Sequence, residues 1–382
     1  MAVIILNNEF DWKRINNVLT KLMFVWFIIS VVEIINPAGA SIRGWVQEVR
    51  STALFPILII PLVFLLFDSE HKLNLFLGLI ISLSFLATLN GIKQEHIGPS
   101  AGEQRFLDMG GAVTHVLWGK LRVFSFYNDA GQFGASQASF ILVALMIALG
   151  PFRTWIRILM VLISGAFVYG MLISGTRGAL FALVVGAFFA IFLTRNIKIL
   201  VLGAIAALMC LFVLKYTTIG NGNYAIYRMR TVFDPKEASL NVRLENQHIL
   251  AEYLKSHPFG GGLGVIGAWG KEYNRDKFLS TIEPDSYWVK LWAMYGIVGF
   301  TFWFCMMMFI LGKCCGIIWK IRNIKLRYKA IALLSSTAGI FFCSYGNEVM
   351  NAMPSAIVVA MSLAFIFMCP EFDQSHDTPV LN

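Results

Sequence analysis

The sequence predicts an all-α, polytopic integral membrane protein of about ten transmembrane helices with one large extracytoplasmic loop that contains short helices. Three observations carry this. Hydrophobic residues fill 57% of the 382 positions and charged residues only 14%, about half the charged fraction of a soluble domain. Apolar runs of roughly 17–22 residues recur almost without charge, the length a helix needs to cross a bilayer. A single long polar stretch, 216–287, interrupts them.

Spans are expected near 19–35, 52–67, 73–90, 133–150, 156–174, 178–194, 197–214, 288–311, 330–346 and 353–369. They divide the chain into an N-terminal membrane part (1–215), the large loop (216–287), a C-terminal membrane part (288–370) and a cytoplasmic tail (371–382). The first run has no small-residue cleavage site after it, so it reads as an uncleaved span. Lys313, Lys320, Arg322, Lys325, Arg327 and Lys329 form the densest basic connection, which the positive-inside tendency assigns to the cytoplasm. Alternation then puts Lys13 and Arg14, Arg153 and Arg157, and Arg195 and Lys198 on the same side, with both termini. It puts 36–51, 91–132, 175–177 and 216–287 outside.

The net charge of +9 is spread over short loops rather than gathered in a groove, so topology explains it and nucleic acid is not an expected partner. The six cysteines lie in apolar runs or in the basic connection, so no disulfide framework is expected. No CxxC pair suggests zinc, and no acidic DxD-like cluster suggests a metal-dependent nucleotide-sugar enzyme. No cofactor is expected.

The candidate residues lie at the ends of spans on the outer side. Arg122 opens an aromatic and Asn/Asp segment that leads through Asn128, Asp129 and Gly134 into the fourth span. Ser174-Gly175-Thr176-Arg177-Gly178 joins the fifth and sixth spans with too few residues for a soluble loop, so Arg177 either snorkels at a helix end or faces a polar cavity. Its flanking glycines permit close approach, and the Ser174 and Thr176 hydroxyls add donors. In the large loop, Arg228 and Arg230 precede a helix expected over about 240–254, capped by Ser239 or Asn241 and stopped before Pro258. On it Arg243 and Gln247 share a face; Arg243 could instead pair with Glu245 or Glu252 on a solvated surface.

Gly262, Gly264 and Gly267 match a dinucleotide fingerprint in letters only, since no strand precedes them and no βαβ unit follows. His248 and His257 lack metal-ligand spacing. Asp285, after Pro284, is placed both to cap the eighth span and to accept a proton from a hydroxyl. Glu348, in the outer link between the last two spans, is a second, weaker carboxylate.

Together these residues resemble the O-antigen ligase and polymerase superfamily. The motifs are Ser174-Gly-Thr-Arg177-Gly-Ala-Leu, Asn241-Val-Arg243-Leu-Glu-Asn, His257-Pro-Phe-Gly260-Gly-Gly262-Leu-Gly264, and Asp285-Ser-Tyr-Trp-Val-Lys-Leu-Trp-Ala-Met-Tyr-Gly296-Ile-Val-Gly299, in that order. The segment from Arg122 to Gly134 also looks like the family's arginine and aromatic stretch. The resemblance implies a membrane glycosyltransferase that needs no metal. Its donor is an oligosaccharide on a polyprenyl diphosphate, transferred at the outer face of the bacterial cytoplasmic membrane. It implies that Arg177 and Arg243 hold the diphosphate. The chemistry of the residues themselves adds that Asp285 deprotonates or orients the acceptor hydroxyl and that Arg122, Arg228, Gln247, Ser174 and Thr176 bind substrate. Ligases typically carry histidine and asparagine where this chain has Asp285-Ser286, so the departure favours a polymerase over a ligase. A chain-length regulator or other polysaccharide-assembly proteins are the partners such an enzyme would meet. A transporter or lipid flippase is the rival of another class, although the chain shows no evident repeated halves.

Overall fold

A computed structural model describes residues 10–117, 119–195, 209, 212–213, 215–219, 222, 224–231, 238–284 and 286–375. Its long helices are α1 (Val18–Ile35), α2 (Ile42–Leu66), α3 (Glu70–His96), α4 (Ala130–Leu149), α5 (Thr154–Ile173) and α6 (Arg177–Thr194). In the large loop lie α7 (Tyr224–Arg230), α8 (Ala238–Leu254) and α9 (Gly267–Tyr273). The chain closes with α10 (Tyr287–Lys320), α11 (Ile324–Cys343) and α12 (Ser355–Ser375). The only strands among the described residues are Val116–Leu117 and Lys120–Leu121, a two-rung antiparallel hairpin.

Eight of these helices are long and apolar enough to cross a membrane. The expected span at 197–214 falls mostly outside the described residues. The one expected at 330–346 is α11, which starts earlier and carries Lys325, Arg327 and Lys329 in its first turns. It is more polar than the others because it is nearly enclosed by protein, with Ala330 to Phe341 all buried, and so needs no continuous lipid-facing surface.

The core forms where small residues let helices touch. Helix α4 is 89% buried and carries glycine, alanine and serine through its first turns. A side chain on Gly186 of α6 would meet the Ser335 carbonyl of α11 at 2.7 Å, and one on Gly339 of α11 would meet the Ala182 carbonyl of α6 at 2.7 Å. Two helix backbones therefore pass at close range, as small-residue membrane interfaces allow. Polar side chains join α3 to α4 across this core: Thr88 donates to Gln137 Oε1 at 2.7 Å, and Gln137 Nε2 donates to Ser84 Oγ at 3.3 Å.

Two expectations change. Residues 42–51 were expected outside, but they are the first turns of α2, with Gly44, Glu48 and Val49 buried. A π-helical segment, Arg50–Leu54, then leads to Pro56, where the missing proline N–H makes a regular α-helical ladder impossible. The eighth span begins one residue earlier and ends nine later than expected; it is also broken at Gly296 (φ 63°, ψ −170°).

The break explains the glycine run. At the interruption the carbonyls of Ala293 and Met294 accept hydrogen bonds from Gly261 N (2.9 Å) and Gly262 N (3.0 Å), while Val298 N donates to the Pro258 carbonyl (3.3 Å). Irregular backbone is tolerated at such a place only when its polar groups are satisfied within protein. The run is pinned from the other side as well. Asn36 Nδ2 donates to the Phe259 carbonyl (3.0 Å) and Asn274 Nδ2 to the Gly264 carbonyl (2.9 Å), and Gly264 lies against the backbone of Gly44. These N–H groups are spent on repairing α10, a use that separates the run from any nucleotide-binding loop.

The basic connections gather at one end of the bundle. Arg14 pairs with Glu371 at 2.6 Å and Lys329 with Glu70 at 2.5 Å, Asp373 accepts from Arg322 N at 2.9 Å, and Arg195 lies over the Trp319 ring at 4.4 Å. The large loop and the link before α6 lie at the other end.

Candidate functional site

The turn between α5 and α6 is built to present side chains. Gly175 has φ +58°, a conformation that favours glycine. Arg228 of α7 approaches it so closely that a Cβ would lie 3.1 Å from Arg228 Cδ and 3.8 Å from Arg122 Cγ. Arg228 is buried, and its Nε donates to the Gly175 carbonyl at 2.5 Å. Arg122, straight after the hairpin, donates through one terminal nitrogen to the Thr114 carbonyl (3.0 Å) and through the other to Thr176 Oγ1 (3.2 Å). Thr176 Oγ1 in turn donates to the Ala130 carbonyl at the start of α4 (2.9 Å). Arg177, first residue of α6, donates to Thr231 Oγ1 at 3.5 Å.

These groups line one cleft of about 510 Å³, together with Arg243 of α8 and with Asp129, Asn347, Glu348, Glu283 and Pro284. Four guanidinium groups from the hairpin, the α5–α6 turn, α7 and α8 therefore share one cavity. Each of the three carboxylates that line it among the described residues has a polar partner. Asp129 accepts from Gln132 N at 3.0 Å and caps α4, Glu283 pairs with Lys271, and Glu348 pairs with Lys290 at 3.1 Å. The N-terminus of α6 adds its partial positive charge beside Arg177. Such a cavity favours an anion, above all one with several oxygens that planar guanidinium forks can share. A larger recess of about 810 Å³ lies among Asn17, Lys313, Lys320 and Arg322 at the opposite end; it is a gap between helix ends and holds none of the candidate residues.

The part of the cleft lined by Asn347 is fixed by close fits. Asn347 sits in a notch between Gly131 and Gly178, where a side chain on Gly178 would collide with its amide. Cys343 Sγ donates to the Gly178 carbonyl at 3.2 Å, and Tyr287 N donates to the Ser344 carbonyl at 3.0 Å.

Among the sequence candidates, Arg122, Thr176, Arg177, Arg228 and Arg243 meet here. Ser174 does not. It is fully buried, and its hydroxyl holds the turn by donating to the Met171 carbonyl (2.6 Å) and accepting from Thr176 N (3.2 Å). Gln247 follows Arg243 one turn along α8 but is not part of the cleft lining. Asp285 lies outside the described residues. The cap expected of it is supplied by Ser286, whose side chain accepts from Val289 N at 3.3 Å. Ser239 and Asn241 fall inside α8, which starts at Ala238.

Beneath the cleft is a feature the sequence reading passed over. Lys290 of α10, 8% exposed in its side chain, lies 3.0 Å from Glu48 of α2 and 3.1 Å from Glu348; Glu48 is fully buried, and its other oxygen accepts from Thr52 Oγ1 at 3.1 Å. The available signal was a lysine inside an apolar run, which by itself marks a functional position in a membrane helix. Among the described residues no group of three or more His, Cys, Asp or Glu is gathered to hold a metal ion.

Residues 158–304, from α5 through the turn, the large loop and the break in α10, match the family model described as O-Antigen ligase. No curated protein matches the chain at a significant level.

Proposed function

We propose, starting from a chain that belongs through residues 158–304 to the O-antigen ligase and polymerase superfamily, that this protein is a polymerase of surface-polysaccharide repeat units. It takes glycan from a polyprenyl-diphosphate carrier and joins it to an acceptor sugar hydroxyl. The carrying observation is the cleft in which Arg122, Arg177, Arg228 and Arg243 converge. A lipid diphosphate presents its charge at the membrane boundary, and charge-assisted bonds from guanidinium groups are worth about 1.5–3 kcal/mol each. As the bond from the anomeric carbon to phosphate breaks, negative charge grows on the leaving diphosphate. Contacts that strengthen at that moment lower the barrier.

Arg177 and Arg243 clamp the diphosphate, and Arg122 and Arg228 brace it or the first sugar. Arg122 and Arg228 are themselves held by backbone carbonyls, so the clamp is set before substrate arrives. Asp285, which follows Pro284 in the sequence, orients or deprotonates the acceptor hydroxyl. No metal enters this scheme. The basic end of the bundle faces the cytoplasm, as the positive-inside tendency requires, and the cleft opens on the exterior side of the inner membrane. A ligase that moves finished glycan to a different acceptor uses the same clamp; Asp285-Ser286 in place of histidine and asparagine favours the polymerase.

The test is purified protein in lipid nanodiscs with a polyprenyl-diphosphate oligosaccharide as both donor and acceptor. The reading expects longer carrier-linked oligomers and one released polyprenyl diphosphate per joining step. Release only when a foreign lipid acceptor is added would identify a ligase, and no release under either condition would refute the glycosyl-transfer reading.

A further inference from the structure

We infer that Glu348 is the group that takes the proton from the acceptor hydroxyl, with Lys290 and Glu48 as its positioning pair. The inference rests on the transfer reaction proposed above and divides its acid–base work, leaving Asp285 to orient the acceptor.

The argument starts from charge. Two glutamates share one lysine at 3.0 and 3.1 Å, so the cluster holds one carboxylate more than its lysine can neutralise. Glu48 is sealed from solvent, whereas the Glu348 side chain is 32% exposed and lines the cleft. Burying an uncompensated charge is costly, so the ion pair that must persist is Lys290 with Glu48. The surplus negative charge belongs to Glu348. Protonating Glu348 leaves a neutral, intact buried pair beneath it, whereas protonating Glu48 would only shift the pairing out of reach of any substrate. Of the two glutamates on Lys290, Glu348 is the one that lines the cleft.

Position agrees with chemistry. Glu348 lines the same cleft as the arginines, and the link that carries it is tied to α10 and α6 by Tyr287 N, Ser286 Oγ and Cys343 Sγ. A diphosphate held by the arginines would bring its sugar into the same cleft that Glu348 lines. In the transfer step the acceptor oxygen bonds to the anomeric carbon, and that carbon's bond to phosphate oxygen breaks with its electron pair leaving on the lipid diphosphate. The hydroxyl proton passes to a Glu348 oxygen, from which water in the open cleft later removes it.

The test uses full-length protein in nanodiscs with the lipid-linked oligosaccharide, following kcat, KM for donor, and competition by polyprenyl diphosphate. Glu348→Gln, isosteric and uncharged, should lower kcat by about 10²-fold or more, with donor KM and competitor affinity within about threefold of the parent. Glu48→Gln leaves Glu348 in place but removes the second carboxylate from Lys290, so the lysine no longer positions Glu348 as it does in the parent. It should lower kcat about tenfold with KM unmoved, a split that loss of packing alone would not produce. Wild-type kcat in Glu348→Gln overturns the assignment, as does a loss confined to KM. A 10²-fold kcat loss in Asp285→Asn with near-normal kcat in Glu348→Gln would also overturn it, by moving the base to Asp285. If the unmodified protein yields no product, the transfer reading falls and this inference falls with it.

Discussion

Arg177→Lys is expected to lower the rate of glycan transfer by about 10²-fold, the scale on which removing one preorganised donor to a developing anion acts, in protein that folds and accumulates normally. The substitution keeps the charge but loses the planar fork that meets two phosphate oxygens at once. About 10²-fold corresponds to roughly 2.7 kcal/mol of transition-state stabilisation, close to one charge-assisted hydrogen bond. The effect should fall on kcat more than on donor KM, because the contact strengthens as the diphosphate leaves. The α5–α6 turn itself is held by the Ser174 hydroxyl and by Arg228 Nε on the Gly175 carbonyl, so a lysine that keeps the charge should leave the fold intact. Initial-rate assays beside thermal unfolding of the same preparation check both halves. A rate within twofold of the parent would remove Arg177 from the clamp.

Gly296→Ala should do the reverse, damaging the fold first and activity as a consequence. At φ 63° and ψ −170° the backbone occupies a region essentially reserved for glycine, at a cost of about 1–3 kcal/mol to other residues. The added methyl would also run into the Pro258 carbonyl oxygen, the group that accepts from Val298 N across the break. Together these should destabilise the protein by about 3 kcal/mol or more. The displaced segment continues through the glycine run to α9 and to Pro284 on the cleft wall. A clearly lowered unfolding temperature together with lost transfer is the expected result of heating detergent-solubilised variant and parent side by side. An unfolding temperature equal to the parent's would mean that the stitch between loop and broken helix contributes little.

How far the sequence disclosed this depends on the range of the interaction. Hydrophobic runs are local, so the existence of the membrane helices could be read, but their ends could not: α2 begins ten residues before the expected 52 and α10 ends nine after the expected 311. Arg177 was recognisable because a charged residue between two spans, flanked by glycines, is costly unless something answers it. The partners of Arg122 and Arg228 could not be read: Arg228 reaches a carbonyl 53 residues away and Arg122 a hydroxyl 54 residues away, and neither contact leaves a spacing pattern. Glu48 was hidden in a stretch that read as an outer link because Pro56 and the charges around it obscured the helix start. Without Glu48, Lys290 was a single basic residue in an apolar run. Ser174 was misread for a related reason, since a hydroxyl beside an arginine looks like a ligand donor until the turn it closes is seen.

The account stands on the idea that guanidinium groups distant in the chain act on a single diphosphate. A double-mutant cycle on polyprenyl-diphosphate binding tests this most directly, comparing the parent, Arg177→Lys, Arg243→Lys and the double variant in nanodiscs. Two arginines on one ligand should be coupled by about 0.5–3 kcal/mol, the double variant losing less than the two single losses combined. Losses that simply add, within about 0.3–0.5 kcal/mol, or affinity untouched by either change, would contradict it.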